Sequence, residues 1–331
     1  MLKGSGVGEN MEAKQKSSFT VEQFRQFYAE EIRALTGASD ELVAAFARVP
    51  RERFLGTAPW YVAPTASLFT TAYRPVQDPR DLYHDVLVAI KRAQFLNNGQ
   101  PTLLARLINA LDLHPGKRVL HVGCGTGYFT AVMAEVVRAS GSVLAVEIER
   151  DLATKAAANL STYVCVKVLH LDGADLVAGR KGLGQLDAVL VNASVTHPHP
   201  AWLQSLNPGG VMVLPLAVAR NPSAGDAIAI RIERQGNQFA AQPLCLLSLY
   251  ASPSLRDEAL LEQLNRGFMT HSILRIKSVR VDEHEQDDSC LAHSAGFCVS
   301  KLPVGAIDEH AQMASTQVPH PQQRAAQSPS Q

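Results

Sequence analysis

A chain of 331 residues with 46% hydrophobic side chains has enough apolar surface for a full-sized core, as one large domain or two small ones. Lys+Arg and Asp+Glu both total 31, so the chain lacks the basic excess that phosphate contacts demand of a nucleic-acid-binding protein. Five cysteines, an odd number at wide spacings with no CxxC pair, argue against a disulfide framework or a zinc site, and they read as buried thiols of a reducing compartment.

Residues 1–18 are polar and lack the apolar core of a signal peptide, and no apolar run reaches the length of a membrane span. A cytoplasmic protein is expected, with no membrane, nucleic-acid or metal partner. Residues 19–102 read as a helical extension with a substrate-side segment. In it, "VEQFRQFYAEEIRAL" repeats apolar side chains at helical spacing, and "SDELVAAFARV" starts at a Ser39 cap and stops before Pro50. The stretch 57–80, with several Pro and Thr, reads as a loop.

Residues 103–304 read as the main domain. "TLLARLINALDL" predicts a helix over 102–113, and after it apolar strands alternate with helices: "RVLHV", "GSVLAVEI", "VCVKVL" (164–169), "LDAVLVN" and "GVMVLPL" are the strands. That alternation implies an α/β fold whose mostly parallel sheet is covered on both faces. "DAIAIRIER" and "FAAQPLCLLSL" add an antiparallel edge hairpin. Residues 305–331, rich in Pro and Gln, are too polar to build a core, and like 1–18 they are expected to be disordered tails.

The chemistry starts at Gly123-Cys124-Gly125-Thr126-Gly127, a glycine loop between the first apolar strand and a helix. Glycine permits positive φ and leaves room for a cofactor against the backbone. The next strand ends in Glu147, placed to accept from both hydroxyls of a ribose. After the third strand, Asp172 is a candidate acceptor for the amine of adenine. The spacing is G-x-G-x-G, not the G-x-G-x-x-G that seats a pyrophosphate, and Tyr128 stands where the last dinucleotide glycine belongs. A ring there hinders a pyrophosphate but is acceptable beside a methionine moiety. The cofactor indicated is S-adenosyl-L-methionine on a Rossmann-like methyltransferase fold.

From about Ala44 to Leu216 the chain resembles the protein-L-isoaspartate O-methyltransferase family. The resemblance is carried by "AFARVPRERFL" (45–55), by "GQPTLLARLINALDLHPGKRVLHVGCGTGYFTAVMAEVV" (99–137), and by "LDAVLVNAS" followed by "WLQSLNPGGVMVLPL". It implies a cofactor role for Gly123, Gly125, Gly127, Glu147 and Asp172, and methyl transfer to a carboxyl group of a protein or peptide, as in repair of isoaspartyl residues. The family's Thr-x-Ser before Gln-Pro is replaced by Asn97-Asn98-Gly99 ahead of Gln100-Pro101. Asn97 and Asn98 are therefore either amide donors to the acceptor carboxylate or an ordinary turn, with Gln100 beside them. His121 stands where the family has Glu and reads as a structural hydrogen-bonding residue.

"NASVTHPHP" (192–200) follows the fourth strand, at the sheet edge where ligands bind, so Thr196 and His197 are candidates to line the substrate pocket. The acidic "SVRVDEHEQDDSC" (278–290) reads as a solvated surface turn. Two alternatives stand beside protein carboxyl methylation: a methyltransferase for another peptide or small molecule, and a cofactor-binding protein that has lost catalysis.

Overall fold

The computed structural model describes residues 18–64, 73–176, 183–218 and 225–306. Both tails expected from composition lie outside the described residues, apart from Ser18, Gly305 and Ala306. No helix among the described residues is long and apolar enough to cross a membrane.

Helix α1 (Val21–Thr36) opens on a capping box in which Thr20 and Gln23 satisfy each other's backbone N–H, and it ends at Gly37 with φ 66°. Helix α2 (Asp40–Arg48) is capped by Ser39, carries Asp40 and Glu41 in its first turn, and buries Leu42, Val43, Ala45 and Phe46. The stretch read as a loop at 57–80 contains β1 (Trp60–Pro64) and β2 (Arg74–Val76). They join β3 (Val86–Lys91) and β4 (Leu96–Asn97) in a small antiparallel sheet of order β2-β1-β3-β4. Of the prolines that suggested a loop, Pro64 ends β1 and Pro75 lies within β2, a three-residue edge strand where a missing N–H is tolerated.

Helix α3 (Pro101–Asn109) leads into the main sheet and is shorter than predicted, because the chain turns through Asp112 at φ 54°. Then follow β5 (Arg118–Val122), α4 (Tyr128–Val137), β6 (Ser142–Glu147), α5 (Arg150–Asn159), β7 (Val166–His170), β8 (Leu186–Val191), α6 (Pro200–Ser205) and β9 (Leu206–Ala217). β7 starts two residues later than predicted, and Val164 is exposed. Strands β7-β6-β5-β8-β9 are parallel, with β5 at the point where the order reverses.

β10 (Gly225–Gln235) and β11 (Gln238–Leu249) form the predicted hairpin beside β9. The sheet does not stop there. Past α7 (Glu258–Met269), β12 (Ser278–Arg280), β13 (Cys290–Ser294) and β14 (Phe297–Ser300) extend it to ten strands, ending β11-β12-β14-β13. Strand residues alternate between two cores. Ala188, Leu190, Val211 and Val213 face the layer of α1 to α5, while Val189, Val191, Met212 and Leu214 face α6 and α7. Coverage of both faces is what the near-continuous apolar strands require.

His121 belongs to the first of these faces. It is fully buried, its Nδ1 lies 2.8 Å from Thr130 Oγ1, and burial pulls its pKa down to about 3. The neutral ring is thus the folded form. Below about pH 6.5 the unfolded chain takes up a proton that the folded chain refuses, so stability falls as pH falls toward 3, by about 1.4 kcal/mol per unit from this residue. His121→Asn should lack that component, and urea unfolding of both proteins between pH 7 and 4.5 measures it. Parallel pH profiles would contradict the assignment.

Candidate active site

The loop from β5 to α4 is shaped by its glycines. Gly123, Gly125 and Gly127 have φ of 76°, 57° and 94°, a region costly for any residue with a Cβ. The reasons differ in detail. A Cβ on Gly127 would come 2.7 Å from Leu160 Cδ1, and one on Gly123 would come 3.2 Å from the Asn192 carbonyl oxygen. A Cβ on Gly125 would meet nothing within 4 Å, so here the loop borders open space. The N–H groups of Gly123 and Cys124 both donate to Val146 O, at 2.9 and 3.1 Å, and tie the loop to β6.

Glu147 ends β6 and is buried against this loop. Its Oε2 accepts from Gly125 N at 2.8 Å and its Oε1 from Glu149 N at 3.0 Å. A carboxylate oxygen has two lone pairs, so the carboxylate keeps capacity for two hydroxyl donors. Asp172 starts the single turn Gly173–Asp175; its Oδ1 accepts from Ala174 N at 2.9 Å and its Oδ2 from the Ser254 hydroxyl. Gly173 holds this rim close to the sheet. A Cβ there would lie 2.6 Å from Val122 Cγ1, and Trp202 Nε1 donates to its carbonyl at 3.2 Å. Asn192 donates from Nδ2 to Gly123 O at 3.4 Å, and its Oδ1 is buried with no hydrogen-bond partner among the described residues. That leaves a free acceptor beside the glycine loop, suited to an ammonium or N–H donor.

The ring of Tyr128 does not face the loop's open side. It is buried among Phe46, Phe54 and Phe129, with its hydroxyl 3.4 Å from that of Tyr28. Its contribution beside a cofactor is therefore limited to the backbone at the start of α4.

The segment before α3 lies against the same end of α4. A Cβ on Gly99, whose φ is 84°, would be 3.3 Å from Phe129 Cε2 and 3.0 Å from Leu104 Cδ2. Asn97 Oδ1 accepts from Gly99 N at 2.9 Å, closing a local turn. Asn98 is buried; its Oδ1 accepts from Arg51 at 3.0 Å, and its Nδ2 is buried with no partner among the described residues. Gln100 donates from Nε2 to Asp85 Oδ2 at 2.8 Å. Asp85 also accepts from Thr102 N and Oγ1, both at 2.9 Å, and so caps α3 from a distant strand end.

Sequence reasoning missed Asp85, Trp202 and the reach of Arg51. Arg51 is fully buried and donates to the carbonyls of Leu82, His84 and Val86 as well as to Asn98. An Arg in a Val-Pro-Arg turn is a visible signal, but three of its four acceptors are main-chain oxygens, which carry no sequence signature.

The loop after β8 departs from expectation. Thr196 is fully buried and pins residues 255–257: its Oγ1 donates to Leu255 O and accepts from Asp257 N. It has no surface to offer a substrate. His197 is half-buried, and burial lowers its pKa. It lines a cavity of about 770 Å³ with Leu203, Arg234, Phe239 and Asp257, which includes no residue of the glycine loop or of 97–101. Cys290 and Cys298, expected from their spacing to be buried thiols outside any metal site, converge with His284 and His293.

Comparison with known proteins agrees with this geometry. The family model of protein-L-isoaspartate(D-aspartate) O-methyltransferases (PCMT) matches residues 22–242. A protein-L-isoaspartate O-methyltransferase of Rhodopseudomonas palustris (strain BisB5) is 32% identical over 212 residues, covering 63% of this chain and 83% of that one. One of Vibrio vulnificus (strain YJ016) is 32% identical over 210 residues, covering 63% and 86%. Among solved structures, a protein-L-isoaspartate O-methyltransferase superposes with a TM-score of 0.58 at 21% identity over 78% of this chain and 72% of its own. A Plasmodium falciparum protein solved with S-adenosyl-L-homocysteine gives 0.52 at 20% identity over 69% and 97%. The cofactor is S-adenosylmethionine, and the residues fit it: the loop is open at Gly125, and the Glu147 carboxylate and the Asn192 oxygen have acceptor capacity to spare. Sequence and fold therefore agree, and the chain belongs to the protein-L-isoaspartate(D-aspartate) O-methyltransferase (PCMT) family.

Proposed function

We propose that the protein methylates the free carboxylate of abnormal aspartyl residues in proteins, the α-carboxylate of L-isoaspartyl and the side-chain carboxylate of D-aspartyl residues, with the acceptor entering between the 97–101 segment and the carboxyl ends of β5 and β8. One observation carries the reading: the segment that precedes α3 is packed on Phe129, two residues beyond the glycine loop, so an acceptor held by it stands next to the cofactor. Gly123, Gly125 and Gly127 border the methionyl part, Glu147 takes the ribose hydroxyls and Asp172 the adenine amine. S-adenosylmethionine supplies an electrophilic methyl group on its sulfonium.

The acceptor carboxylate is already ionised at neutral pH, since free carboxyls titrate near pH 4. No general base is needed. The residues of this chain act by alignment and by keeping water out. Asn98 Nδ2, a buried donor without a partner, is the group we assign to the acceptor carboxylate, with a small opening of the segment. Asn97 shapes the turn, and Gln100 acts through Asp85 to fix the start of α3. Thr196 and His197 are left out of this site.

Replacing both Asn97 and Asn98 by Ala should lower methyl transfer to an isoaspartyl peptide at least tenfold. A hydrogen bond to a charged group contributes roughly 1.5–3 kcal/mol. Affinity for S-adenosylmethionine should stay unchanged. Equal transfer rates in the double variant would remove the segment from the acceptor site. Simple reinstatement of Thr and Ser at positions 97 and 99 is not a clean converse test. A side chain at 99 must adopt φ near 84° and press on Leu104, so the turn of this chain is built for glycine.

A further inference from the structure

Beyond the residues matched by the family model, the last three strands hold a second chemical feature. His293 and Cys298 are register partners on the β13–β14 hairpin, so their side chains share one face. Cys290 starts β13, and its Sγ lies 3.7 Å from His284 Nε2, in the connection from β12. One ligand atom from each of His284, Cys290, His293 and Cys298 lies within 4.8 Å of the others. We propose that these four side chains bind a zinc ion that fastens the connection between β12 and β13 onto the β13–β14 hairpin.

The donor chemistry supports zinc. Two thiolates and two imidazoles form a soft set that selects Zn²⁺ in tetrahedral geometry, and the spacing is H-x5-C-x2-H-x4-C. With Zn–S bonds of ~2.3 Å and Zn–N bonds of ~2.0–2.1 Å, a tetrahedron has edges of roughly 3.3–3.8 Å. The Cys290–His284 separation already has that length. Closing the rest requires a contraction of about 1.5 Å at most. The surroundings are also arranged as for a ligand set. His284 Nδ1 lies 2.9 Å from Asp282 O and 3.3 Å from Asp282 Oδ2, which fixes the ring and leaves Nε2 facing the cluster. Asp282 is in turn held by two bonds from the buried Arg280. His293 Nδ1 is buried without a partner among the described residues, a cost that a metal bond removes. The backbone of His293 is clamped on both sides by Gln263 of α7, at 2.9 and 3.1 Å.

Charge balances on binding: Zn²⁺ replaces the two thiol protons, which leave to solvent, and the imidazoles bind neutral, so the centre carries no net charge. The ion fastens the connection between β12 and β13, which is without helix or strand from Val281 to Ser289, onto the hairpin. All four ligands are protein side chains, so the site is closed and its role structural.

The test is the metal content of the full chain, purified under reducing conditions without a metal-affinity step, together with the spectrum after cobalt substitution. The expected result is about one zinc per chain and the ligand-field bands of tetrahedral Co²⁺ with thiolate charge transfer. Cys290→Ser and His293→Ala should each retain zinc at least tenfold less well against a competing chelator, while Cys245→Ser should retain it like the parent. Wild-type protein that holds no zinc and gives no tetrahedral cobalt spectrum would overturn the proposal. So would a Cys290–Cys298 disulfide as the state of the purified chain, or zinc retention unchanged in both ligand variants.

Discussion

Arg51→Met lowers the free energy of unfolding by at least about 3 kcal/mol, measured by urea denaturation at neutral pH. The guanidinium is fully buried and serves four acceptors: Leu82 O at 2.7 Å, Val86 O at 2.8 Å, Asn98 Oδ1 at 3.0 Å and His84 O at 3.3 Å. Methionine fills a similar volume and donates nothing. Each buried acceptor left unpaired costs about 1–3 kcal/mol, and relief of the guanidinium's own desolvation offsets part of the sum. Lysine should not rescue the variant, because one ammonium cannot span acceptors that a planar fork reaches together. The loss also extends to function. Arg51 connects the 82–86 segment to Asn98, and its guanidinium lies 5.9 Å from the Tyr128 ring centre. Without it the 97–101 segment loses an anchor over the glycine loop. An unfolding midpoint equal to that of the parent would show that Arg51 is a bystander.

Gly125→Val abolishes most S-adenosylmethionine binding, at least a hundredfold by calorimetry, at a modest cost in stability. The two effects separate because of where the side chain goes. At φ 57° a branched residue is strained by about 1–2 kcal/mol, but its Cβ touches no protein atom within 4 Å. It projects into the space that the loop leaves open. Gly127 gives the contrast. A Cβ there runs into Leu160 at 2.7 Å, so Gly127→Val should damage folding before binding can be measured. Glu147→Ala belongs to the same experiment and should weaken the cofactor by roughly 1–3 kcal/mol, since it removes a paired carboxylate from Gly125 N and Glu149 N. Undiminished binding in Gly125→Val would move the cofactor away from this loop.

What was legible in the sequence is what short-range patterns encode. The apolar strands from Arg118 to Ala217 and the helices between them follow from composition and period, and the glycine loop and Glu147 from spacing along the chain. The β1–β2 pair was hidden because Pro and Thr around it imitate a loop, while the pairing that makes it a strand comes from β3, more than twenty residues on. Asp85 was hidden for a similar reason: it caps a helix whose first residue is Pro101. Thr196 was misjudged because a hydroxyl after a strand fits a pocket as well as a pin, and only the burial of residues 255–257 over it decides. The His–Cys cluster escaped because its ligands are spaced one by one through a connection and a hairpin, where no CxxC marks them.

The central claim is that this chain transfers a methyl group from S-adenosylmethionine to an isoaspartyl carboxylate. The direct measurement is incorporation of label from methyl-tritiated cofactor into an isoaspartyl peptide, with the matched aspartyl peptide as control. The account predicts labelling of the isoaspartyl peptide as a base-labile methyl ester, dependent on Glu147, and none of the control above background. Protein that binds the cofactor but leaves the isoaspartyl peptide unlabelled, or labels both peptides alike, would contradict it.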